Sequence, residues 1–90
     1  MNDYPRAVDD LVRSEMENGL SVYQPQGDRV HFLNHTSTVI LELCDGTNSV
    51  AAIIETVQSA FTLAEPPELE VRQLLQQAVD AGLVTWTRSV

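Results

Sequence analysis

Residues 29–46 read RVHFLNHTSTVILELCDG, and this stretch decides the fold. Residues 29–33 are rich in apolar and aromatic side chains that would alternate between two faces, as in a strand. Asn34 is a good helix N-cap, and the apolar residues after it recur at helical spacing until Gly46, which is typical of a position beyond a helix end. The pattern predicts a strand that leads directly into a helix.

Two more strand-like runs precede this stretch, at residues 12–16 and 20–24. Asn18-Gly19 lies between them, and Asn-Gly is a strong hairpin signal because both residues accept a positive φ at the centre of a turn. Residues 25–28, PQGD, form a second turn before the third run. We therefore expect a three-stranded antiparallel meander with residues 29–33 at one edge.

Helical patterns fill most of the remaining chain. Apolar residues recur at helical spacing from Val50 to Phe61, and Pro66-Pro67 suits the start of a third helix that Gly82 ends. Residues 83–87 read either as a short strand or as a packed tail. The order predicts an α+β, winged helix-turn-helix domain over residues 12–88: a three-stranded antiparallel sheet followed by a three-helix bundle. Residues 1–11 are expected to be a flexible N-terminal tail.

The charge balance limits the partners. The 90 residues carry thirteen acids against five arginines and no lysine, giving a net charge of −8. Such a surface repels phosphate backbones and anionic lipid, so nucleic-acid and membrane binding are disfavoured. No apolar run reaches the length of a membrane span, the first residues do not resemble a secretion signal, and the single Cys44 suits a reducing compartment. We expect a cytoplasmic domain.

Candidates for catalysis are few. His31, His35 and Cys44 could be imagined as metal ligands. However, a His-x3-His pair shares one face only within a helix, and these two histidines lie on a strand and at a helix cap. Cys44 as a nucleophile would need a base and an electropositive setting, whereas the apolar helix face and Asp45 should raise its pKa. Two surface histidines and a core thiol are the better interpretation. The sequence predicts no enzyme activity, no cofactor and no metal.

Three binding functions remain to be compared. A phosphopantetheine carrier would need an Asp-Ser-Leu triplet, which is absent. A winged-helix regulator could act through DNA or a protein partner. DNA binding would need a basic recognition helix, but residues 67–82, PELEVRQLLQQAVDAG, contain Arg72 as their single base. Capture of an extended peptide fits residues 29–33, because Arg29 alone guards that edge against strand addition. The same edge could equally be harmless because it is short, or be covered by residues 84–88.

The stretch FLNHTSTVILELCDGTNSVAAI, residues 32–53, resembles the PqqD-like family of precursor-peptide recognition elements of ribosomally made, modified peptides. The resemblance extends over roughly residues 12–84. The matching features are Leu33-Asn34, Thr36, Ile40-Leu41-x-Leu43, Asp45-Gly46, Ser49-Val50-x-x-Ile53, the upstream Tyr23-x-Pro25 and the closing Ala81-Gly82-Leu83-Val84.

This resemblance implies a winged helix that binds no DNA. Family members hold the leader segment of a precursor peptide as an added strand and deliver it to a modifying enzyme, such as a radical-SAM enzyme, or to a leader peptidase or cyclase. Pyrroloquinoline-quinone assembly and lasso-peptide maturation both use such a module. Carried over to this chain, the resemblance places the peptide against the third strand and the third helix, and a monomer or a strand-exchanged dimer is expected.

The predicted peptide contacts follow from that placement. On the third helix, a stripe beside the buried face would line the groove, with Arg72 pairing with an acidic leader residue. Asn34, Asp45 and Gly46 are interpreted as structural caps and turns despite their place in the motif. The predicted binding residues are Arg29, Val30, His31, Phe32 and Leu33 on the strand, and Leu69, Arg72, Gln76 and Val79 on the helix.

Overall fold

A computed structural model describes residues 3–88 and gives an α+β arrangement of five strands and three helices. The strands β2, β3 and β4 form one antiparallel sheet, and β1 pairs with β5 in a separate two-stranded ribbon. In chain order the elements are β1 (Asp3–Ala7), β2 (Val12–Met16), β3 (Gly19–Gln24), β4 (Arg29–Leu33), α1 (His35–Leu43), α2 (Val50–Ala60), α3 (Glu68–Asp80) and β5 (Val84–Arg88).

The predicted meander is present, with one difference at its first turn. Glu17 and Asn18 form the turn, and Gly19 is the first residue of β3 rather than a central turn residue. Gly19 has φ +148°, and a Cβ there would overlap the carbonyl oxygen of Leu33 on β4. The glycine is therefore required by the close approach of two strands as well as by its backbone conformation.

The described part of the predicted flexible tail is instead a strand. Residues 3–7 pair antiparallel with β5, and their other side is tied to the end of α1: the Ala7 amide donates to the Cys44 carbonyl at 2.8 Å, and the Gly46 amide donates to the Pro5 carbonyl at 3.0 Å. Pro5 and Ala7 are buried. Residues 84–88 form β5, which pairs with β1 and not with β4. The alternative that these residues cover the β4 edge is therefore also wrong.

The helices begin where the sequence predicts. The Asn34 side chain accepts a hydrogen bond from the Ser37 amide at 2.8 Å, so the N-cap predicted there is confirmed, and the Ser49 hydroxyl caps α2 by accepting one from the Ala52 amide at 3.1 Å. Pro67 precedes α3 and is buried. No helix within residues 3–88 is long and apolar enough to cross a membrane.

One hydrophobic core joins the three-stranded sheet to the helices. The inward residues of β3, Leu20 and Val22, pack under the apolar faces of the helices. Helical periodicity supplies those faces, because residues three and four apart share one side of a helix. The buried helical residues are Ile40 and Leu41 on α1, Ile53, Ile54 and Val57 on α2, and Val71, Leu75 and Ala78 on α3.

Candidate peptide-binding groove

Strand β4 is an open edge of the three-stranded sheet. Its one neighbour is β3, and no other described strand pairs with it. The β3–β4 register pairs Leu20 with Leu33 and Val22 with His31. Unpaired edges of this kind present a row of free N–H and C=O groups that can template another strand.

The orientation of the Leu33 carbonyl shows which backbone groups of β4 are free. That carbonyl oxygen lies against Gly19 and therefore points toward β3. Backbone groups in an antiparallel strand alternate between its two sides, so Arg29 and His31 also direct their N–H and C=O toward β3. Val30 and Phe32 direct theirs away from the sheet. These two residues supply the donors and acceptors for an added strand.

The side chains of β4 alternate between the two faces of the sheet, as predicted. His31 and Leu33 lie on the inward face, opposite the buried Val22 and Leu20, and are half-buried. Val30 and Phe32 face outward and are 50% and 72% exposed. A peptide added to this edge would therefore meet a packed inward face and an exposed apolar outward face.

A groove of about 420 Å³ lies beside the edge. Apolar residues of β4, α1 and α3 contribute most of its lining. This combination of strand edge and apolar groove suits an extended peptide, because backbone bonds to the edge can act together with side chains that enter the groove. The lining residues are Val30 to Leu33, then Ile40, Leu41 and Cys44, then Leu74, Leu75, Gln77, Ala78 and Ala81, and finally Leu83 and Val84.

Of the predicted strand residues, Val30 to Leu33 line this groove, whereas Arg29 and the predicted helical stripe do not. Leu69 is 66% exposed, Arg72 forms an ion pair with Glu68 at 3.2 Å, and the Gln76 amide donates to a carboxylate oxygen of Asp80 at 3.0 Å. None of these three lines the groove. That part of the prediction differs from the structure. Val79, the fourth predicted residue, packs against the core and is also absent from the lining.

The α3 residues that do line the groove lie on the other flank of its buried stripe. Leu74, Gln77 and Ala81 recur three and four residues apart, on one side of the helix. The sequence reasoning missed Gln77 and Ala81 because both flanks of a buried stripe satisfy the same periodicity. The small residues Ala78 and Ala81 were the available signal, since short side chains leave room for a groove.

A chain of hydrogen bonds orders one end of the groove. The side-chain Nε2 of Gln24 donates to the Ala81 backbone carbonyl at 2.8 Å, and the side-chain Oε1 of Gln24 lies 3.1 Å from Nε2 of His31. The amide oxygen can only accept, so His31 Nε2 carries the shared hydrogen. This chain joins β3, β4 and the end of α3.

Cys44 is one of the groove-lining residues and is a packed thiol. It is 4% exposed, and its Sγ donates to the Ile40 carbonyl at 3.2 Å. Burial, with a smaller contribution from the Asp45 carboxylate, raises the pKa of this thiol from 9.0 to about 12. A thiol with this pKa is a poor nucleophile at neutral pH. Within residues 3–88, no three His, Cys, Asp or Glu side chains are placed to hold a metal ion.

These features define a small α+β domain with an open strand edge beside an apolar groove. The sequence model of the family described as "Coenzyme PQQ synthesis protein D (PqqD)" matches residues 19–84, and the chain belongs to this family. The matched region begins at β3 and ends at β5, so it contains the edge strand, all three helices and the whole described groove.

Curated relatives carry the name "PqqA binding protein". The protein from Methylococcus capsulatus is 34% identical over 58 residues, covering 64% of this chain and 58% of the relative. The protein from Rhodopseudomonas palustris is 40% identical over 63 residues, covering 68% of this chain and 61% of the relative. This chain thus spans less than two thirds of the length of these relatives.

A solved structure shares the fold. TbiB1, determined in complex with the TbiA(beta) leader peptide, superposes with a TM-score of 0.76 at 15% sequence identity. The match covers 93% of this chain and 99% of TbiB1. At this identity the comparison shows a common fold.

Proposed function

We propose that this chain is a non-catalytic recognition domain that binds the leader segment of a ribosomally synthesised precursor peptide as an added strand on β4. The outward N–H and C=O groups of Val30 and Phe32, lying beside an apolar groove, are the observation that carries the proposal. The names of the relatives from Methylococcus capsulatus and Rhodopseudomonas palustris support it, since they identify binders of the precursor PqqA.

The bound peptide would be passed to a modifying enzyme, and we propose that the domain itself performs no chemistry. Its one cysteine is a buried thiol with a raised pKa, which argues against a nucleophilic role. A radical-SAM enzyme of pyrroloquinoline-quinone synthesis is the partner that the family name favours, and a leader peptidase or cyclase is the alternative. A free thiol in the core also suits a reducing cytoplasm.

The three helices with the adjoining sheet would act as a winged helix-turn-helix used for peptide rather than DNA. The exposed face of α3 carries Glu68 and Glu70, and Glu68 already pairs with Arg72. Without a basic face, counterion release cannot drive binding to a duplex. We therefore expect no salt-sensitive retention on duplex DNA. The open edge also permits a strand-exchanged dimer, which would compete with peptide for β4.

Isothermal titration calorimetry with the precursor peptide encoded beside this chain's gene tests the proposal. Backbone bonds along one strand and a few apolar anchors should give a dissociation constant on the order of micromolar or lower. The same precursor without its leader segment is the control and should not bind. Equal affinity for the two peptides, or no heat of binding either alone or with the modifying enzyme present, would contradict leader recognition.

A further inference from the structure

Positive charge is scarce on this protein, and one part of it lies at the β4 edge. Of the five arginines, Arg6 and Arg72 are neutralised by Asp9 and Glu68 at 3.0 and 3.2 Å. Arg29 forms no such ion pair with any described residue. In a chain with a net charge of −8, an unpaired arginine beside a binding groove marks a place where negative charge can be accepted.

Arg29 shares the inward face of β4 with His31. The register pairs Arg29 with Gln24 and His31 with Val22, so both side chains start on the groove side of the sheet. Both side chains lie near Gly27: a Cβ there would sit 3.5 Å from the Gln24 side-chain oxygen and 3.6 Å from Cγ of Arg29. His31 lines the groove, and Arg29 and Gln24 lie next to it on the same face of the sheet.

Gln24 fixes the orientation of the imidazole. Its amide is anchored to the Ala81 carbonyl, so its oxygen is held where His31 Nε2 donates to it. With Nε2 committed to that bond, Nδ1 is the ring nitrogen left to meet a ligand. A neutral ring offers a lone pair there, and a protonated ring offers an N–H donor.

We propose that Arg29 and His31, with Gln24 as the positioning residue, form a subsite that binds an aspartate or glutamate side chain of the captured peptide. This inference rests on the proposed function, because the carboxylate is delivered by a peptide strand lying along β4. The sequence assigned the acidic leader residue to Arg72, but Arg72 already pairs with Glu68. The subsite assigns that residue to Arg29 and His31 at the strand edge instead. The carboxylate would accept hydrogen bonds from the guanidinium and from Nδ1–H of the protonated His31 ring.

A double-mutant cycle tests the subsite with two probes, the precursor peptide encoded beside this gene and PqqA of Methylococcus capsulatus. Each acidic residue of the leader is replaced in turn by its amide. One such replacement should weaken binding to the unmodified protein by about ten-fold, as for a charge-assisted bond. The same replacement should have no further effect on the Arg29→Gln, His31→Gln double variant. An equal loss for both proteins would overturn the subsite while leaving peptide capture intact.

The role of Gln24 has its own readout. In Gln24→Leu, the imidazole nitrogens observed by NMR should change from a single Nε2–H tautomer to a mixture, and the ten-fold preference for the acidic peptide should shrink. An unchanged tautomer in a folded Gln24→Leu variant would overturn the positioning role. If the unmodified protein bound neither probe, alone or with the modifying enzyme, both the proposed function and the subsite would be contradicted.

Discussion

Phe32 and Leu33 are adjacent on β4, yet Phe32 is 72% exposed while Leu33 packs against the hydrophobic core. The alternation that separates the two side chains also separates their backbone groups: the Leu33 carbonyl faces β3, and the N–H and C=O of Phe32 face away from the sheet. The strand is therefore anchored through one set of residues and open through the other. This division lets β4 accept a further strand without loss of its own pairing.

Replacing Val30 by proline should weaken peptide binding at least about ten-fold, because it removes an outward N–H and puts a ring at the edge. The matched control is Arg13→Pro on β2. The same alternation turns the Arg13 N–H away from β3 at the opposite edge of the sheet. Titration calorimetry, with circular dichroism to verify folding, should show loss of binding in the first variant alone. Equal affinities for the two variants would contradict strand addition at β4.

Truncation of Leu74 distinguishes the two flanks of α3. Leu74→Ala removes a side chain that lines the groove and should weaken binding several-fold. Because this side chain also packs against the core, the variant should lose about 1–3 kcal/mol of stability. Leu69→Ala, on the exposed flank, should leave both affinity and stability unchanged. Fluorescence anisotropy of a labelled leader peptide measures the affinity. A larger loss of affinity for Leu69→Ala would instead support peptide binding at the α3 flank predicted from the sequence.

Cys44 should resist alkylation until the protein unfolds. Burial raises its pKa to about 12, so at neutral pH the folded protein holds a protonated and inaccessible thiol. The unfolded chain releases this proton near pH 9.0, and the contribution of the group to stability is therefore complete below that pH and lost as the pH rises toward about 12. Mass spectrometry after iodoacetamide treatment, across a urea series, should show modification tracking unfolding. Rapid modification without urea would contradict this placement.

Gly19→Ala should destabilise the sheet by about 2–4 kcal/mol. The residue has φ +148°, and a methyl group would overlap the Leu33 carbonyl oxygen, so the edge strand itself must shift. Gly27→Ala is the matched control, because its nearest neighbours lie at ordinary contact distance. Chemical denaturation of both variants gives the free energies of unfolding. Similar values for the two would show that Gly19 tolerates a side chain.

Elements with a local cause could be predicted from the sequence. The Asn34 cap, the helical periodicity and the turn around residues 25–28 each depend on residues a few positions apart. The open edge at residues 29–33 followed from the same local order. These features sufficed to place the edge strand directly before α1.

What could not be predicted depends on contacts between distant parts of the chain. The β1–β5 ribbon joins the two ends of the described chain. Pro5 is buried within β1, but proline is uncommon in strands, so the sequence around it suggests a loop. The groove-facing flank of α3 is set by how the helix rotates against the core, which periodicity leaves undetermined. Likewise, Gln24 meets Ala81 across 57 positions of sequence, and neither residue signals the other.

The most direct test of the central claim is an amide-shift NMR titration of labelled protein with the precursor peptide encoded beside its gene, with the modifying enzyme added if the peptide alone does not bind. Strand addition predicts the largest changes at residues 29–33 and on the groove flank of α3, at residues 74–81. The amides of Val30 and Phe32 should also become protected from hydrogen exchange. Saturating peptide that leaves residues 29–33 unshifted, or shifts centred on the exposed flank of α3, would contradict peptide capture by the β4 edge.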